Sequence, residues 1–183
     1  EGARAAAKEA ERQVMAGDEV GPLHGVPGVL KDLFDFKPGW PATLGGIRAL
    51  KDFRPDLTCP FAERVEAAGA ILLGKANSPT LGFRGTCDNY LFGPSRNPFN
   101  PEYNTGGSSG GSAGAVADGL VPFAEGTDGG GSIRIPAAWC GIYGLKQSFG
   151  RVPVVTRPNA FPGTAPFIFE GPLTRSVQDA ALL

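Results

Sequence analysis

The sequence predicts an α/β fold in a single domain, and three observations support this prediction. Apolar residues at Phe61, Val65 and Ala68 recur with helical spacing and stop at Gly69, and the apolar run Ala70–Gly74 follows directly as a strand. A second short apolar run, Val29–Phe34, also has the length and character of a buried strand. The chain of 183 residues, 42% of them hydrophobic, contains no internal repeat or linker and is long enough for one sizeable core.

Local patterns assign the remaining elements in order. Turn-forming Gly, Asn and Pro residues make Phe83–Pro101 an irregular excursion. The other segments are a helix over Ala3–Ala16 stopped by Gly17, a helix of small residues that follows the loop Gly106–Ser112 and runs to Asp118, a strand at Leu120–Ala124, a helix at Ile133–Cys140 with Pro136 in its first turn, a strand at Tyr143–Lys146 and an amphipathic helix from about Ser176.

Charge and composition exclude several classes of partner and compartment. Lys and Arg number 17 against 18 Asp and Glu, for a net charge of -1, and no basic run is present, which argues against binding to nucleic acid or an anionic membrane. No stretch reaches about 18 apolar residues, and Glu1–Arg12 is charged where a signal peptide would be apolar. Three widely spaced cysteines fit neither a disulfide framework nor a zinc site. We therefore expect a cytoplasmic protein.

The titratable residues limit the catalytic chemistry. His24 is the only histidine, so a Ser-His-Asp relay has one candidate base and an all-histidine metal site is impossible. Lys31 lies in an apolar run, where burial would favour the neutral amine, and a neutral amine can accept a proton from a serine. Alternatively, Lys31 pairs with Asp32 at the end of the strand, and the residues alone leave both interpretations open.

Glycines cluster in two Gly/Ser loops, Gly106–Ser112 and Gly126–Ser132, each placed before a predicted helix, where backbone N–H groups favour negative charge. A flexible linker is a poor explanation, because strands and apolar helices follow at short spacing. A phosphate loop is excluded at Gly69–Lys75, since the next residue has no hydroxyl for magnesium. A nucleophile elbow at Gly107–Gly111 requires a later histidine, but His24 comes before it.

Three segments, Gly25–Asp32, Gly106–Ala113 and Gly126–Pro136, together closely resemble the amidase signature family. The resemblance covers nearly the whole chain. It implies an α/β fold in which a mixed β-sheet is flanked by helices on both faces. Because members of that family are usually much longer, it also implies that residues 1–183 are one catalytic core, a central segment incomplete at its N- and C-terminal ends.

The resemblance implies a Ser-cisSer-Lys triad. Ser132 corresponds to the nucleophile, Ser108 to the bridging serine that follows a cis peptide bond, and Lys31 to the base. The family mechanism is acyl transfer, in which neutral Lys31 takes a proton from Ser108 and Ser108 takes one from Ser132.

The same resemblance implies roles for the loop before Ser132. Backbone N–H groups of Gly129, Gly130, Gly131 and Ser132 would face the developing oxyanion. Asp128 and Arg134 are expected to hold this loop in place. The loop Gly82–Cys87 is expected to line the acyl side of the pocket.

The predicted function is hydrolysis of a small-molecule linear carboxylic amide to an acid and an amine or ammonia, with no metal and no organic cofactor. No nucleic acid or membrane partner is expected, and a homo-oligomer is left open by the sequence. A second enzyme hypothesis is the amidotransferase subunit that releases ammonia from glutamine for a tRNA-dependent partner. A non-enzyme hypothesis is a module that binds an anion at the Gly/Ser starts of the helices.

Overall fold

Helices and strands alternate along most of the chain, as the sequence predicts. The computed structural model describes residues 2–154 and 167–183. Its helices are α1 (Gly2–Ala16), α2 (Pro60–Ala67), α3 (Gly110–Ala117), α4 (Arg134–Trp139) and α5 (Val177–Leu182), with short 3-10 turns at Arg48–Leu50 and Thr80–Gly82. Its strands are β1 (Pro27–Lys31), β2 (Ile71–Ala76), β3 (Asp88–Asn89), β4 (Gly93–Pro94), β5 (Arg96–Asn97), β6 (Asn100–Asn104), β7 (Phe123–Asp128), β8 (Tyr143–Gly144) and β9 (Phe169–Thr174).

A mixed sheet forms the centre of the fold. Among the described residues, five strands make up this sheet in the order β2-β1-β7-β9-β8. Strand β1 pairs in parallel with both β2 and β7, whereas β9 is antiparallel to β7 and β8. The prediction of a mixed sheet is confirmed. Because β1 and β7 run in the same direction, their last residues, Lys31 and Asp128, lie at the same edge of the sheet.

Helices cover both faces of this sheet. Phe123 packs in a core with Phe61 and Val65 of α2, whereas the next residue, Ala124, packs in a second core with Val116 of α3 and Ala137 of α4. Successive residues of a strand point to opposite faces, so these two clusters lie on opposite sides of β7. The central strand is therefore shielded from water on both sides, which allows polar side chains at its end to be buried.

The structure corrects one strand prediction and contains one strand that was not predicted. The strand predicted at Leu120–Ala124 lies further along the chain, at Phe123–Asp128, because Gly126, Thr127 and Asp128 pair in register with β9. Local sequence assigned these three residues to a loop, since Gly and Asp are uncommon in strands. Strand β9 itself was not predicted. Its pairing with β7 is long-range, and Gly171 and Pro172 interrupt the apolar pattern that would have indicated it.

The excursion at Phe83–Pro101 is more regular than predicted. It contributes to two small antiparallel ribbons, β3–β4 and β5–β6. The predicted strand at Tyr143–Lys146 is confirmed in place but is limited to Tyr143–Gly144. In the part of the chain that the structure describes, none of the helices combines the length and the apolar character needed to cross a membrane.

Candidate active site

Lys31 ends β1 with its side chain completely buried. Its Nζ donates hydrogen bonds to the Oγ of Ser108 and to the Oγ1 of Thr127, both at 2.7 Å. The alternative in which Lys31 pairs with Asp32 is wrong, because the Asp32 carboxylate instead accepts hydrogen bonds from the main-chain N and the hydroxyl of Thr43. The lysine is directed at hydroxyl groups rather than at a carboxylate.

Burial changes the acid-base behaviour of this lysine. Removal from water disfavours the ammonium form and lowers the pKa of Lys31 from 10.5 to about 8, although negative charge on the nearby buried carboxyl groups opposes the decrease. The neutral amine is therefore more populated near neutral pH than it is for an exposed lysine. An amine of this kind can act as a general base near neutral pH.

Ser108 follows a cis peptide bond with Gly107, as the resemblance implies. A Cβ atom at Gly107 would lie within 2.8–2.9 Å of main-chain atoms of Thr86 and Arg84, so only glycine fits at this close approach. Ser108 is buried, and its Oγ is the atom that Lys31 contacts.

The adjacent serine has a different environment. Ser109 Oγ donates to the main-chain O of Thr127 and accepts from its N, both at 3.2 Å. Ser109 therefore fixes the main chain of Thr127, whose side chain shares Lys31 with Ser108. Thr127 was not identified from the sequence, because the segment that contains it was assigned to a loop.

Ser132 lies between β7 and α4 and is half-buried. Its main-chain O accepts a hydrogen bond of 3.1 Å from the N of Ser109, which ties the two Gly/Ser loops together. Ser132, Ser108 and Thr127 line one small cavity of about 160 Å³, together with Gly129 and Gly130. The structure thus brings residues from two distant Gly/Ser loops and the contact partners of Lys31 to the same cavity.

Asp128 organises the loop that carries Ser132. Its carboxylate accepts hydrogen bonds from the main-chain N of Gly131 at 2.7 Å and of Ile133 at 3.2 Å, and from the Arg134 side chain at 3.0 Å. Burial by itself would raise the pKa of Asp128, but the hydrogen bonds from Arg134 and these amides outweigh it and lower the pKa. The expectation that Asp128 and Arg134 hold the loop is confirmed.

The same contacts correct one predicted oxyanion donor. The N–H of Gly131 donates to the Asp128 carboxylate, so it helps to hold the loop in place and does not face the cavity. Gly129 and Gly130, by contrast, line the cavity beside Ser132.

The rest of the cavity wall is apolar. Leu33, Phe34, Leu81, Phe83 and Ile168 line it, and Phe83 is 88% exposed. Of the loop expected to line the acyl side, Gly82 and Phe83 contribute to the wall, whereas Cys87 is buried and its thiol faces Ser95 Oγ at 3.3 Å. Among the described lining residues, none carries a charged side chain.

Comparison with known proteins places the chain in a family. The Amidase family model matches residues 1–183, so the chain belongs to the amidase signature family. An acylamidase of Rhodococcus erythropolis is 44% identical over 177 residues, which are 97% of this chain and 36% of the relative. One subunit of the glutamyl-tRNA(Gln) amidotransferase of Halorhodospira halophila is 45% identical over 183 residues, which are 100% of this chain and 37% of the relative.

Solved structures agree with this assignment. A bacterial aryl acylamidase belonging to the amidase signature enzymes superposes with a TM-score of 0.91 at 57% sequence identity, covering 98% of this chain and 37% of that chain. The chain therefore spans somewhat more than a third of the length of the relatives that it matches.

Proposed function

We propose that this chain carries the catalytic machinery of a serine amidohydrolase that cleaves linear carboxylic amides through an acyl-Ser132 intermediate. The observation that carries the proposal is the buried Lys31 amine, which contacts the Ser108 hydroxyl at 2.7 Å beside the cavity that Ser132 lines. Membership of the amidase signature family and the acylamidase relatives support the same reaction.

In the proposed reaction, neutral Lys31 accepts the proton of Ser108 Oγ while Ser108 accepts the proton of Ser132 Oγ. Ser132 Oγ then forms a bond with the carbonyl carbon of the amide. When the tetrahedral intermediate collapses, the C–N bond breaks and the proton held by Lys31 returns through Ser108 to the departing nitrogen. Water attacks the acyl-serine in the second half of the cycle, releases the acid and restores the Ser132 hydroxyl.

The loop Gly129–Gly130 is proposed to stabilise the oxyanion together with the N–H of Ser132. These residues line the cavity without a Cβ barrier at either glycine. One preorganised N–H donor of this kind is worth about 2.7–4 kcal/mol in the transition state. Asp128 would keep the loop in place by accepting the N–H groups of Gly131 and Ile133.

The cavity wall supports an amide with an apolar acyl or aryl group as the substrate class. Leu33, Phe34 and Ile168 offer apolar contact, and the exposed ring of Phe83 adds an aromatic surface. Glutamine release is the second candidate, favoured by the amidotransferase subunits among the relatives. Free glutamine carries an ammonium and a carboxylate group, however, and the described wall has no charged side chain to receive either.

The anion-binding hypothesis has less support from the geometry. At the start of α4, the N–H groups of Ile133 and Arg134 already contact the chain's own carboxylate at Asp128. At the start of α3, the N of Gly111 donates to the main-chain O of Asn77 at 3.1 Å. Such amides have little capacity left for an external anion.

A serine-directed fluorophosphonate tests the proposal. We expect the probe to modify Ser132, located by mass spectrometry of the digested protein, and Ser132→Ala to remove the modification. Ser176→Ala, which changes a serine whose side chain caps α5, is the matched control and should leave labelling intact. A folded protein that is not labelled, or is labelled elsewhere, would contradict the proposed nucleophile. Hydrolysis of an acyl anilide in preference to glutamine would then separate the two candidate substrates.

A further inference from the structure

Three carboxyl groups that the proposed reaction does not use are buried behind Lys31. They belong to Asp35, which follows β1, to Glu125 in β7 and to Glu170 in β9, and each is at most 1% exposed. Glu170 pairs across the sheet with Thr127, the residue next but one to Glu125. No group of acidic, His or Cys side chains in residues 2–154 and 167–183 is arranged to hold a metal ion. The cluster therefore needs another explanation.

One member of this cluster, Glu125, holds the backbone of Lys31 together with a lysine from the neighbouring strand. The main-chain N of Lys31 donates to Glu125 Oε2 at 2.9 Å. On the other side, Lys75 Nζ in β2 donates to the main-chain O of Lys31 at 3.1 Å and also to the main-chain O of Asp35. Glu125 and Lys75 thus fix the two main-chain polar groups of the candidate base.

Asp35 and Glu125 act on each other's protonation: a hydrogen bond between them would lower the pKa of Asp35 and raise that of Glu125. A bond between two carboxyl groups requires that one of them carries a proton. Glu125 Oε2 receives the Lys31 N–H, whereas Glu125 Oε1 and both Asp35 oxygens are buried and have no hydrogen-bond partner among the described residues. These buried oxygens gain a hydrogen bond when Glu125 Oε1 carries a proton and donates a hydrogen bond to Asp35.

The surrounding charges favour this location of the proton. Burial raises the pKa of Asp35, but Lys75, the Glu125 hydrogen bond and Lys31 oppose that increase, and Asp32 adds a smaller repulsion. Burial raises the pKa of Glu125 well above its usual range, and the neighbouring Asp35 and Glu170 raise it further. The pKa of each carboxyl group is raised overall, that of Glu125 more strongly, so a single shared proton belongs on Glu125 and the negative charge on Asp35.

We propose that Asp35 and Glu125 share one proton as a positioning pair, in which protonated Glu125 holds the Lys31 backbone and ionised Asp35 supplies a negative charge that tunes the protonation of the Lys31 amine. The inference deepens the proposed function and rests on Lys31 as the base. Besides this pair, Asp128 at the end of β7 and Cys87 in the loop before β3 act on the Lys31 amine, and the Lys75 ammonium in β2 contacts the Lys31 main chain.

The sign of the effect follows from the charge. A carboxylate near an amine favours the ammonium form, so it opposes the effect of burial on Lys31. Without that carboxylate the amine would become neutral at a lower pH. The pair would thus keep Lys31 basic enough to take a proton from Ser108 while burial keeps it neutral enough to do so near pH 7–8.

The pH dependence of the fluorophosphonate labelling rate at Ser132 tests the pair. Asp35→Asn should move the midpoint of this pH dependence downward by about one pH unit, because it removes the negative charge that favours the ammonium form of Lys31. Glu125→Gln should keep the wild-type midpoint, since a glutamine amide can donate to Asp35 and accept the Lys31 N–H as the protonated acid does. The double variant should match Asp35→Asn, and the control Glu170→Gln, outside the pair, should keep the wild-type midpoint. A shift in Glu125→Gln or Glu170→Gln, or none in Asp35→Asn, would overturn the assignment.

Infrared spectroscopy tests the shared proton without any activity. In the Glu170→Gln background, which removes the other buried carboxyl group with a raised pKa, the protein at neutral pH should show a protonated carboxyl C=O band. This band should disappear on Glu125→Gln and persist, at a shifted frequency, on Asp35→Asn. Loss of the band in Asp35→Asn instead, or no loss in either variant, would overturn the pair. If the infrared result holds but the wild-type protein is not labelled by the probe, the proposed function fails and the proton-sharing pair stands.

Discussion

Lys31 is the residue on which the proposed chemistry depends most directly. Lys31→Met keeps the length and apolar character of the side chain but removes the amine that contacts Ser108 and Thr127. We expect labelling of Ser132 and amide turnover to fall together by about 10²–10⁴-fold, the usual contribution of a general base. Lys37→Met, which removes a lysine paired with Glu66 away from the cavity, is the control. Retained labelling in a folded Lys31→Met protein would show that another group activates the serine.

The two adjacent serines give a second prediction at the residue scale. Ser108→Ala removes the hydroxyl between Lys31 and the cavity, so we expect loss of labelling of about 10²–10⁴-fold. Ser109→Ala removes two hydrogen bonds to the main chain of Thr127, each worth about 0.5–1.5 kcal/mol, so it should lower thermal stability with a much smaller effect on labelling. Labelling rates and melting temperatures of both variants check this. The reverse order would shift the proposed relay by one residue.

The sequence predicted these residues to very different extents. Lys31 could be singled out because a lysine in an apolar strand is uncommon, and Ser108 and Ser132 came from the family resemblance. Glu125 follows the apolar residues Phe123 and Ala124 and gave the same kind of signal as Lys31, but the strand was placed too early for it to be noticed. The pairing of Asp35 with Glu125 depends on residues 90 positions apart, and no local pattern indicates such a contact.

At the scale of elements, the loop between β7 and α4 depends on one side chain. Asp128→Ala would leave the N–H groups of Gly131 and Ile133 without their acceptor, and hydrogen bonds to a charged group are worth about 1.5–3 kcal/mol each. We expect a clear loss of stability and of labelling at Ser132. Arg134→Ala leaves those backbone contacts in place, and the Arg134 side chain is largely exposed. We therefore expect Arg134→Ala to lower stability and labelling much less than Asp128→Ala does. Equal melting temperatures and labelling rates for the two variants would contradict this role for Asp128.

Packing of α3 against the strand β2 gives another prediction at this scale. A Cβ atom at Gly111 would lie 2.3 Å from the main-chain N of Asn77, which cannot move independently of β2. At Gly114, in the same helix, the nearest atom is the side-chain methyl group of Thr105 at 3.2 Å, which can yield slightly. We therefore expect Gly111→Ala to destabilise the protein far more than Gly114→Ala in urea unfolding. Comparable losses would mean that α3 is free to shift away from β2.

Elements with local signals were predicted well, and elements defined by long-range pairing were not. Helix α2 shows helical periodicity and an abrupt glycine stop, and the strand after it is continuous and apolar. Strand β7 extends through Gly126 and Asp128 only because β9 supplies partners more than forty residues later in the chain. The mixed character of the sheet also depends on the antiparallel β9, and it was predicted from the family resemblance and not from local patterns. Sequence patterns report what a segment can bury, but not which strand will pair with it.

At the scale of the whole molecule, the buried carboxyl groups couple global stability to pH. Burial raises the pKa of Glu170 well above its usual range, and the nearby Asp35 raises it further. Folding therefore favours the protonated form of Glu170, while the unfolded chain releases this proton near pH 4.5. The contribution to stability is complete below that pH and is lost as the pH rises through the folded pKa. Lys31, whose pKa is lowered, adds stability with rising pH, but only above about pH 8.

Glu170→Gln tests this coupling, because glutamine stays neutral at every pH and leaves the Asp35–Glu125 pair in place. The melting temperature of the variant relative to the wild-type protein should rise between pH 5 and pH 8. Each unit by which the folded pKa exceeds the unfolded one corresponds to about 1.4 kcal/mol, or about 3–6 °C for a chain of this size. Glu102→Gln, which removes an exposed carboxyl group from β6, is the control for surface charge. A difference between Glu170→Gln and the wild-type protein that stays constant across this range would mean that Glu170 is ionised in the folded state.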